Sequence, residues 1–207
     1  MLKTRIAVFV SGGGTNLQAL LDAQAAGKLT AGEIVLVLSS QENAYALQRA
    51  EKAGVPTAVC SRRALGSQAA FEAVIEAALA AHSVDLIVLA GFMSILSKDF
   101  TDQWPERILN VHPALIPSFC GQGFYGLKVH EAALERGVKV TGATVHFVNE
   151  IPDGGRILLQ KAVPVEDGDT PETLQRRVME QAEWILLPQA VQMVSEKIAK
   201  EKQHETF

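Results

Sequence analysis

Arg5-Ile6-Ala7-Val8-Phe9-Val10-Ser11-Gly12-Gly13-Gly14-Thr15-Asn16 is the stretch on which the fold turns. Residues 5–11 form a short apolar run with β-branched and aromatic members, the composition of a buried strand. Three glycines break the run. From 15 to 25 Ala, Leu and Gln dominate, with apolar residues three and four apart, the period of an amphipathic helix. A strand, a tight glycine turn and a helix make the opening half of a βαβ unit.

The alternation continues outward from there. Residues 34–39, 57–60, 86–90 and 108–111 are further short apolar runs, and 44–53 and 67–81 are helical patterns punctuated by Gly27, Gly54 and Pro56. This repetition predicts an α/β fold, a mostly parallel twisted sheet flanked by helices, with ligands at the carboxyl ends of the strands. After Pro113 the pattern changes. Residues 117–126 read as a mobile loop rich in glycine and aromatics, and 127–136 as a short helix. Residues 143–148 and 156–165, joined by the turn-rich 149–155, predict an antiparallel hairpin portion. Asp169-Thr170-Pro171-Glu172 opens a last helix, with Leu174, Val178, Ala182 and Ile185 at helical spacing. Pro188 predicts a kink or break before a second piece carrying Val191, Val194 and Ile198, and the polar tail after Ala199 predicts fraying. No repeat or linker interrupts the chain, so residues 1–207 read as a single domain.

A chain of 207 residues buries a core without disulfide or metal staples. The net charge of −4, with mixed signs throughout, supplies no field for wrapping nucleic acid. Cys60 and Cys120 lack metal spacing and the N-terminus lacks a signal-peptide pattern, so a reduced, cytoplasmic protein is expected. The apolar runs fall short of the roughly 20 residues of a membrane span.

Asn110 and His112 lie two apart, hence on one face of a strand that Pro113 ends. The amide can donate to a developing oxyanion and the imidazole can exchange a proton near neutral pH. The same pair also fits a plainer role, satisfying neighbouring backbone groups. The 11–16 loop has two readings as well: an anion site of backbone N–H groups at a helix start, or a tight turn capped by Thr15 or Asn16. It lacks the Lys-Ser/Thr ending of a nucleotide P-loop and the GxGxxG spacing of dinucleotide folds. Asp153, in Pro-Asp-Gly-Gly, is either a turn former or a partner that raises the pKa of His112 and orients its ring. His146, inside the strand 143–148, has two readings, first a hydrogen-bonded core histidine and second a further contributor to this site. Cys120, without a thiolate-activating context, is a weak candidate nucleophile.

Taken together, 11–18 (Ser-Gly-Gly-Gly-Thr-Asn-Leu-Gln), Leu89-Ala90-Gly91-Phe92-Met93, Asn110-Val111-His112-Pro113 and Asp153-Gly154-Gly155 resemble the folate-dependent formyltransferases over nearly the whole chain. The glycine loop and Gly142-Ala143-Thr144-Val145-His146-Phe147-Val148 are most similar to the members that formylate 5-phosphoribosylglycinamide in purine synthesis. The resemblance implies a Rossmann-like fold, 10-formyltetrahydrofolate as co-substrate and no metal. It carries catalytic roles onto Asn110, His112 and Asp153, and substrate binding onto Gly13, Gly14, Thr15, Asn16, Leu17 and Glu183. Folate contacts fall on Gln68, Met93, Ser94, Ile95, Leu96, Ile108, Val148 and Asn149. Some members carry Arg where this chain has Gln68 and Ser94, so recognition of the folate carboxylate tail is expected to rely on other groups or to be weaker. The spacing from Arg177 to Glu183 is one residue longer than the commonest pattern. Related enzymes that act on methionyl-tRNA or hydrolyse formyl folate have further domains and are not expected here. A non-catalytic phosphate-binding regulator is the rival from another class. The partners implied are small molecules, with neither nucleic acid nor membrane. A homodimer is open to the chain, Trp104 and a strand preceding it offering a contact.

Overall fold

A computed structural model describes residues 3–205. The strands are β1 (Thr4–Val10), β2 (Gly32–Ser39), β3 (Thr57–Val59), β4 (Leu86–Leu89), β5 (Ile108–His112), β6 (Val140–Phe147) and β7 (Ile157–Pro164). They form one sheet of order β3-β2-β1-β4-β5-β6-β7. β1 to β5 are parallel, and β6 and β7 are added antiparallel, as the expected hairpin.

Ile6 to Val10 are all 0% exposed, because both faces of β1 are covered. Ile6, Val8 and Val10 pack with helices α1 (Thr15–Ala25) and α8 (Trp184–Glu205), while Ala7 and Phe9 pack with Phe71, Ile75 and Leu79 of α4 (Gln68–Ala81). Burial on both faces explains why the run is continuous rather than alternating. The remaining helices are α2 (Tyr45–Lys52), α3 (Arg62–Leu65), α5 (Lys98–Asp102), α6 (Leu127–Arg136) and α7 (Pro171–Val178). The short α3 and α5 were not anticipated, and α5 rather than a strand precedes Trp104. No helix among the described residues is long and apolar enough to cross a membrane.

The C-terminal helices depart from expectation in an instructive way. Thr170 and Thr173 form a capping box that starts α7. A π turn at Met179–Glu183 then joins α7 to α8, the Trp184 N–H reaching back to the Met179 carbonyl. A π turn holds one extra residue and so rotates everything after it. Ala182 is buried, but Ile185, in phase with it by the α-helical count, is 46% exposed, and Leu186 and Leu187 face the core instead. The expected break at Pro188 is absent: α8 runs through Pro188 and on to Glu205, past the expected fraying point. Pro188 removes one helical hydrogen bond, and burial of Leu187, Ala190 and Val191 around it outweighs that loss.

Candidate active site

The order β2-β1-β4 makes a switch point at the carboxyl ends of β1 and β4, where adjacent connections leave on opposite faces. Ser11 pins it: its Oγ accepts the Met93 N–H at 2.8 Å and lies 2.6 Å from the Ser40 hydroxyl. Gly14 begins α1 with φ +73, and a Cβ there would meet the Ala46 Cβ at 2.6 Å. The glycine loop is therefore pressed against α2. Ala46 N–H donates to the Gly12 carbonyl at 3.0 Å and Arg49 Nε to the Gly13 carbonyl at 2.8 Å, turning both oxygens toward α2. No side chain caps α1, which removes the reading of Thr15 or Asn16 as a cap. Thr15 Oγ1 points to Met179 Sδ at 3.8 Å and Asn16 Nδ2 donates to Glu183 Oε2 at 2.7 Å. The start of α1 thus meets the loop uncapped, a donor-rich setting for an anion. Leu17 is fully buried, so its side chain belongs to the core.

The β5 to β6 register sets Asn110 opposite His146 and His112 opposite Thr144. His146 Nδ1 lies 2.8 Å from the Phe147 carbonyl, and its Nε2 lies 3.1 Å from Asn110 Nδ2. Asp153 arrives from the turn after β6 with φ +56, a left-handed conformation that Asp tolerates. Gly155 makes that turn possible, since a Cβ on it would lie 1.7 Å from the Phe147 carbonyl oxygen. The Asp153 carboxylate stands 3.4 Å from His112 Nδ1, 3.5 Å from His146 Nε2 and 3.4 Å from Asn110 Nδ2. Burial alone would raise its pKa, but His146, the Gly121 N–H and His112 outweigh burial and hold the carboxyl below its ordinary value. Burial dominates at His112 and pushes the imidazole below its ordinary value, against the opposing pull of Asp153 and the Phe119 carbonyl. The expected pairing geometry is present, yet the expected net rise in the His112 pKa is not.

The 117–126 loop is docked on this cluster. His112 Nε2 donates to the Phe119 carbonyl at 2.8 Å, and the Gly121 N–H donates to Asp153 Oδ2 at 2.9 Å. Burial, followed by the charge of Asp153, raises the Cys120 thiol, so the reading of Cys120 as a nucleophile loses its chemical basis.

Beside Asn110 and Asp153 opens a cleft of about 140 Å³ walled by Phe92, Ser94, Ile95, Leu96, Val148 and Asn149. Of the expected folate residues, Ile108 is 1% exposed and packs in the core; it reaches the cleft wall only by accepting the Val148 N–H. Met93 is exposed but outside this lining, and Gln68 borders a different, neighbouring cleft. Glu183 is delivered to Asn16 by the π turn, and its burial raises the carboxyl to about 7 despite the Asn16 hydrogen bond. A larger groove of about 840 Å³ between α1 and α8, bordered also by Arg49 of α2, touches the glycine loop only at Thr15 and holds none of the Asn110, His112 and Asp153 cluster.

Two contributors escaped the sequence reading, while His146, read there both as a second contributor and as a core histidine, is buried and also stands beside Asn110 and Asp153. The Phe119 carbonyl and the Arg49 contact are set by loop geometry and carry no residue-type signal.

A family model described as formyl transferase matches residues 4–191. The protein of Gallus gallus named trifunctional purine biosynthetic protein adenosine-3 is 47% identical over 193 residues, 93% of this chain, and the chain spans 18% of its length. Phosphoribosylglycinamide formyltransferase of Haemophilus influenzae is 41% identical over 93% of this chain and 87% of its own. Among solved structures, glycinamide ribonucleotide transformylase 1 from Symbiobacterium toebii superimposes with a TM-score of 0.87 at 43% identity, covering 94% of this chain and 89% of that one. Phosphoribosylglycinamide formyltransferase from Brucella melitensis does so at 0.85 and 44%, covering 93% and 96%. An amide, an imidazole and a carboxylate converging at the edge of β5, in a fold shared along nearly its whole length, mean that this chain belongs to the phosphoribosylglycinamide formyltransferase family of folate-dependent formyl transferases.

Proposed function

We propose that this chain transfers the formyl group of 10-formyltetrahydrofolate to the amine of 5-phosphoribosylglycinamide, giving formylglycinamide ribonucleotide and tetrahydrofolate in purine synthesis. The observation that carries this reading is the convergence of Asn110 and His112 on Asp153, each 3.4 Å from its carboxylate, beside a largely apolar cleft. The Gly13 to Asn16 loop takes the substrate phosphate, and Glu183 with Asn16 takes the glycinamide end. The cleft from Ser94 to Leu96 and from Val148 to Asn149 takes the pterin.

His112 is neutral at rest, because burial disfavours its charge. The amine nitrogen attacks the formyl carbon, the carbonyl electron pair moves to oxygen, and the Asn110 amide donates to that oxyanion. His112 takes the proton released by the attacking nitrogen and is then charged beside Asp153, which stabilises it at that moment. Collapse re-forms the carbonyl, breaks the bond to the folate N10 and returns the proton to that nitrogen. The chain reads further as a single cytoplasmic domain that serves small-molecule substrates.

The test is incubation with 10-formyltetrahydrofolate in the presence and absence of 5-phosphoribosylglycinamide, following tetrahydrofolate, formate and the mass of the amine product. Amine-dependent formylglycinamide ribonucleotide is expected. Formate released without the amine, or binding without turnover, overturns the reading.

A further inference from the structure

The glycine loop is braced from behind by a side chain that the transfer chemistry does not use. In a trans peptide the C=O and the N–H point in opposite directions, so whatever holds one fixes the other. The Gly12 and Gly13 carbonyls are both drawn toward α2, one by the Ala46 N–H and one by Arg49 Nε. The N–H groups of Gly13 and Gly14 therefore face away from α2. Among the described residues neither N–H has a backbone or side-chain acceptor.

We propose that Arg49 is a positioning residue for the substrate phosphate: it holds the Gly13–Gly14 peptide with the N–H turned to the phosphate and, with its charge on the carbonyl side, makes that N–H a stronger donor. This rests on the assignment of the phosphate to the Gly13 to Asn16 loop.

Arg49 is fixed for this task on three sides. Its Cδ lies where a Cβ on Gly14 would meet it at 3.4 Å, so the stem of the side chain runs along the loop. Its Nη1 donates to Gln18 Oε1 of α1 at 2.9 Å, and Gln18 is itself held by donating to Asp22 Oδ1 at 2.8 Å. Its guanidinium carbon stands 5.0 Å from the centre of the Tyr45 ring, one turn earlier on α2. The head is thus locked between the loop, α1 and its own helix.

Its charge is also uncompensated. Arg107 and Arg177, half-buried like Arg49, are paired with Glu201 and Asp169, whereas among the described residues no carboxylate lies within ion-pair distance of Arg49. Both of its hydrogen bonds go to neutral oxygens. A guanidinium on a carbonyl oxygen polarises the whole peptide and strengthens the bond made by the N–H on the far side. An arriving phosphate dianion gains from that donor and from the charge behind it.

The test measures kcat and KM for 5-phosphoribosylglycinamide, and kcat/KM for the riboside that lacks the phosphate, in wild type, Arg49→Met and Arg49→Lys. Met keeps an unbranched stem against Gly14 and removes the charge and both donors. Arg49→Met is expected to raise KM for the phosphorylated substrate roughly tenfold, the size of one charge-assisted hydrogen bond, with kcat unchanged. Its kcat/KM for the riboside and its KM for the formyl folate should match wild type. Arg49→Lys, which keeps the charge but not the fork, should lose roughly threefold and reads the same effect if the Met variant does not fold. An unchanged KM, or a riboside that loses as much as the phosphorylated substrate, overturns the proposal, because a merely structural brace would act on both substrates alike. Calorimetric titration with ribose 5-phosphate gives the comparison without turnover, wild type binding roughly tenfold more tightly than Arg49→Met. A protein that shows this difference but transfers no formyl group breaks the transferase reading and keeps the role of Arg49. One that transfers formyl equally well without Arg49 does the reverse.

Discussion

Two glycine-rich turns of this chain, one after β1 and one after β6, are built on opposite principles. At Gly12 and Gly13 an added Cβ would meet nothing within 4 Å, and the loop opens onto an uncapped helix. At Gly154 and Gly155 an added Cβ would strike Ile151 at 2.7 Å and the Phe147 carbonyl at 1.7 Å. The first turn keeps space and donors for a guest. The second is filled by its own chain, and the rigidity that results aims one carboxylate, Asp153, from a left-handed backbone position. A receiving turn and an aiming turn require the same residue type for contrary reasons, so substitution separates them.

The aiming turn should show the largest effect. Asp153→Asn keeps a residue that tolerates positive φ and removes only the charge, so the turn survives. With no anion to stabilise charged His112, kcat is expected to fall by roughly 10²–10⁴, the range of acid–base assistance. The His112 titration, followed by NMR, should move further down, since burial then acts without the opposing carboxylate. A kcat within tenfold of wild type breaks the assignment of Asp153 as the aimed group. Asn110→Ala, on the strand between the turns, removes one oxyanion donor and is expected to raise the barrier by about 2.7–4 kcal/mol with little change in KM.

Gly155→Ala comes next and reads out in stability. The methyl must displace the Phe147 carbonyl, which has no side-chain freedom to yield, so urea melts should show a loss of about 2–4 kcal/mol. A variant as stable as wild type would mean that the close approach is not needed to hold the turn.

How much of this was legible beforehand follows the same division. The first strand, the glycine turn and the helix at Thr15–Ala25 are local patterns, and the structure has them at those places. Asn110 and His112 share a face because a strand has a period of two, which needs no tertiary knowledge. The π turn was not legible. Leu174, Val178, Ala182 and Ile185 keep perfect helical phase in the sequence, and only packing against the sheet rotates Ile185 outward and Leu186 inward. Nor was the burial that lowers His112, because composition reports a carboxylate partner but not the water it displaces.

Glu183 sharpens the comparison on the receiving side, where the π turn presses a carboxyl against Asn16. Its folded pKa is raised to about 7 by burial, above the ordinary 4.5, so its protonated form is the one the fold accommodates. The resulting stability is fully present below about pH 4.5 and is lost as pH climbs through about 7. Glu183→Gln mimics the protonated form. The stability difference between variant and wild type should therefore be small at pH 4.5 and widen, in favour of the variant, to as much as about 3 kcal/mol by pH 8. A difference independent of pH would show that Glu183 does not titrate in the folded chain.

The smallest effect on the fold is expected from the receiving turn itself, and its sign is the sharpest test of the contrast. Gly13 has ordinary backbone geometry and open space at its Cβ, so Gly13→Ala restricts the unfolded chain without straining the folded one. Stability should hold or rise by about 0.4–1 kcal/mol, the usual gain from such a replacement. On the proposed assignment of the phosphate to this loop, the same methyl stands in its approach to the loop amides. KM for 5-phosphoribosylglycinamide is expected to rise roughly tenfold, the equivalent of about 1.4 kcal/mol, with KM for the formyl folate unchanged. A more stable protein that binds its phosphate worse is the outcome only a receiving turn produces. A loss of stability with an unchanged KM would make Ser11 to Asn16 an aiming turn like its neighbour and move the phosphate site elsewhere.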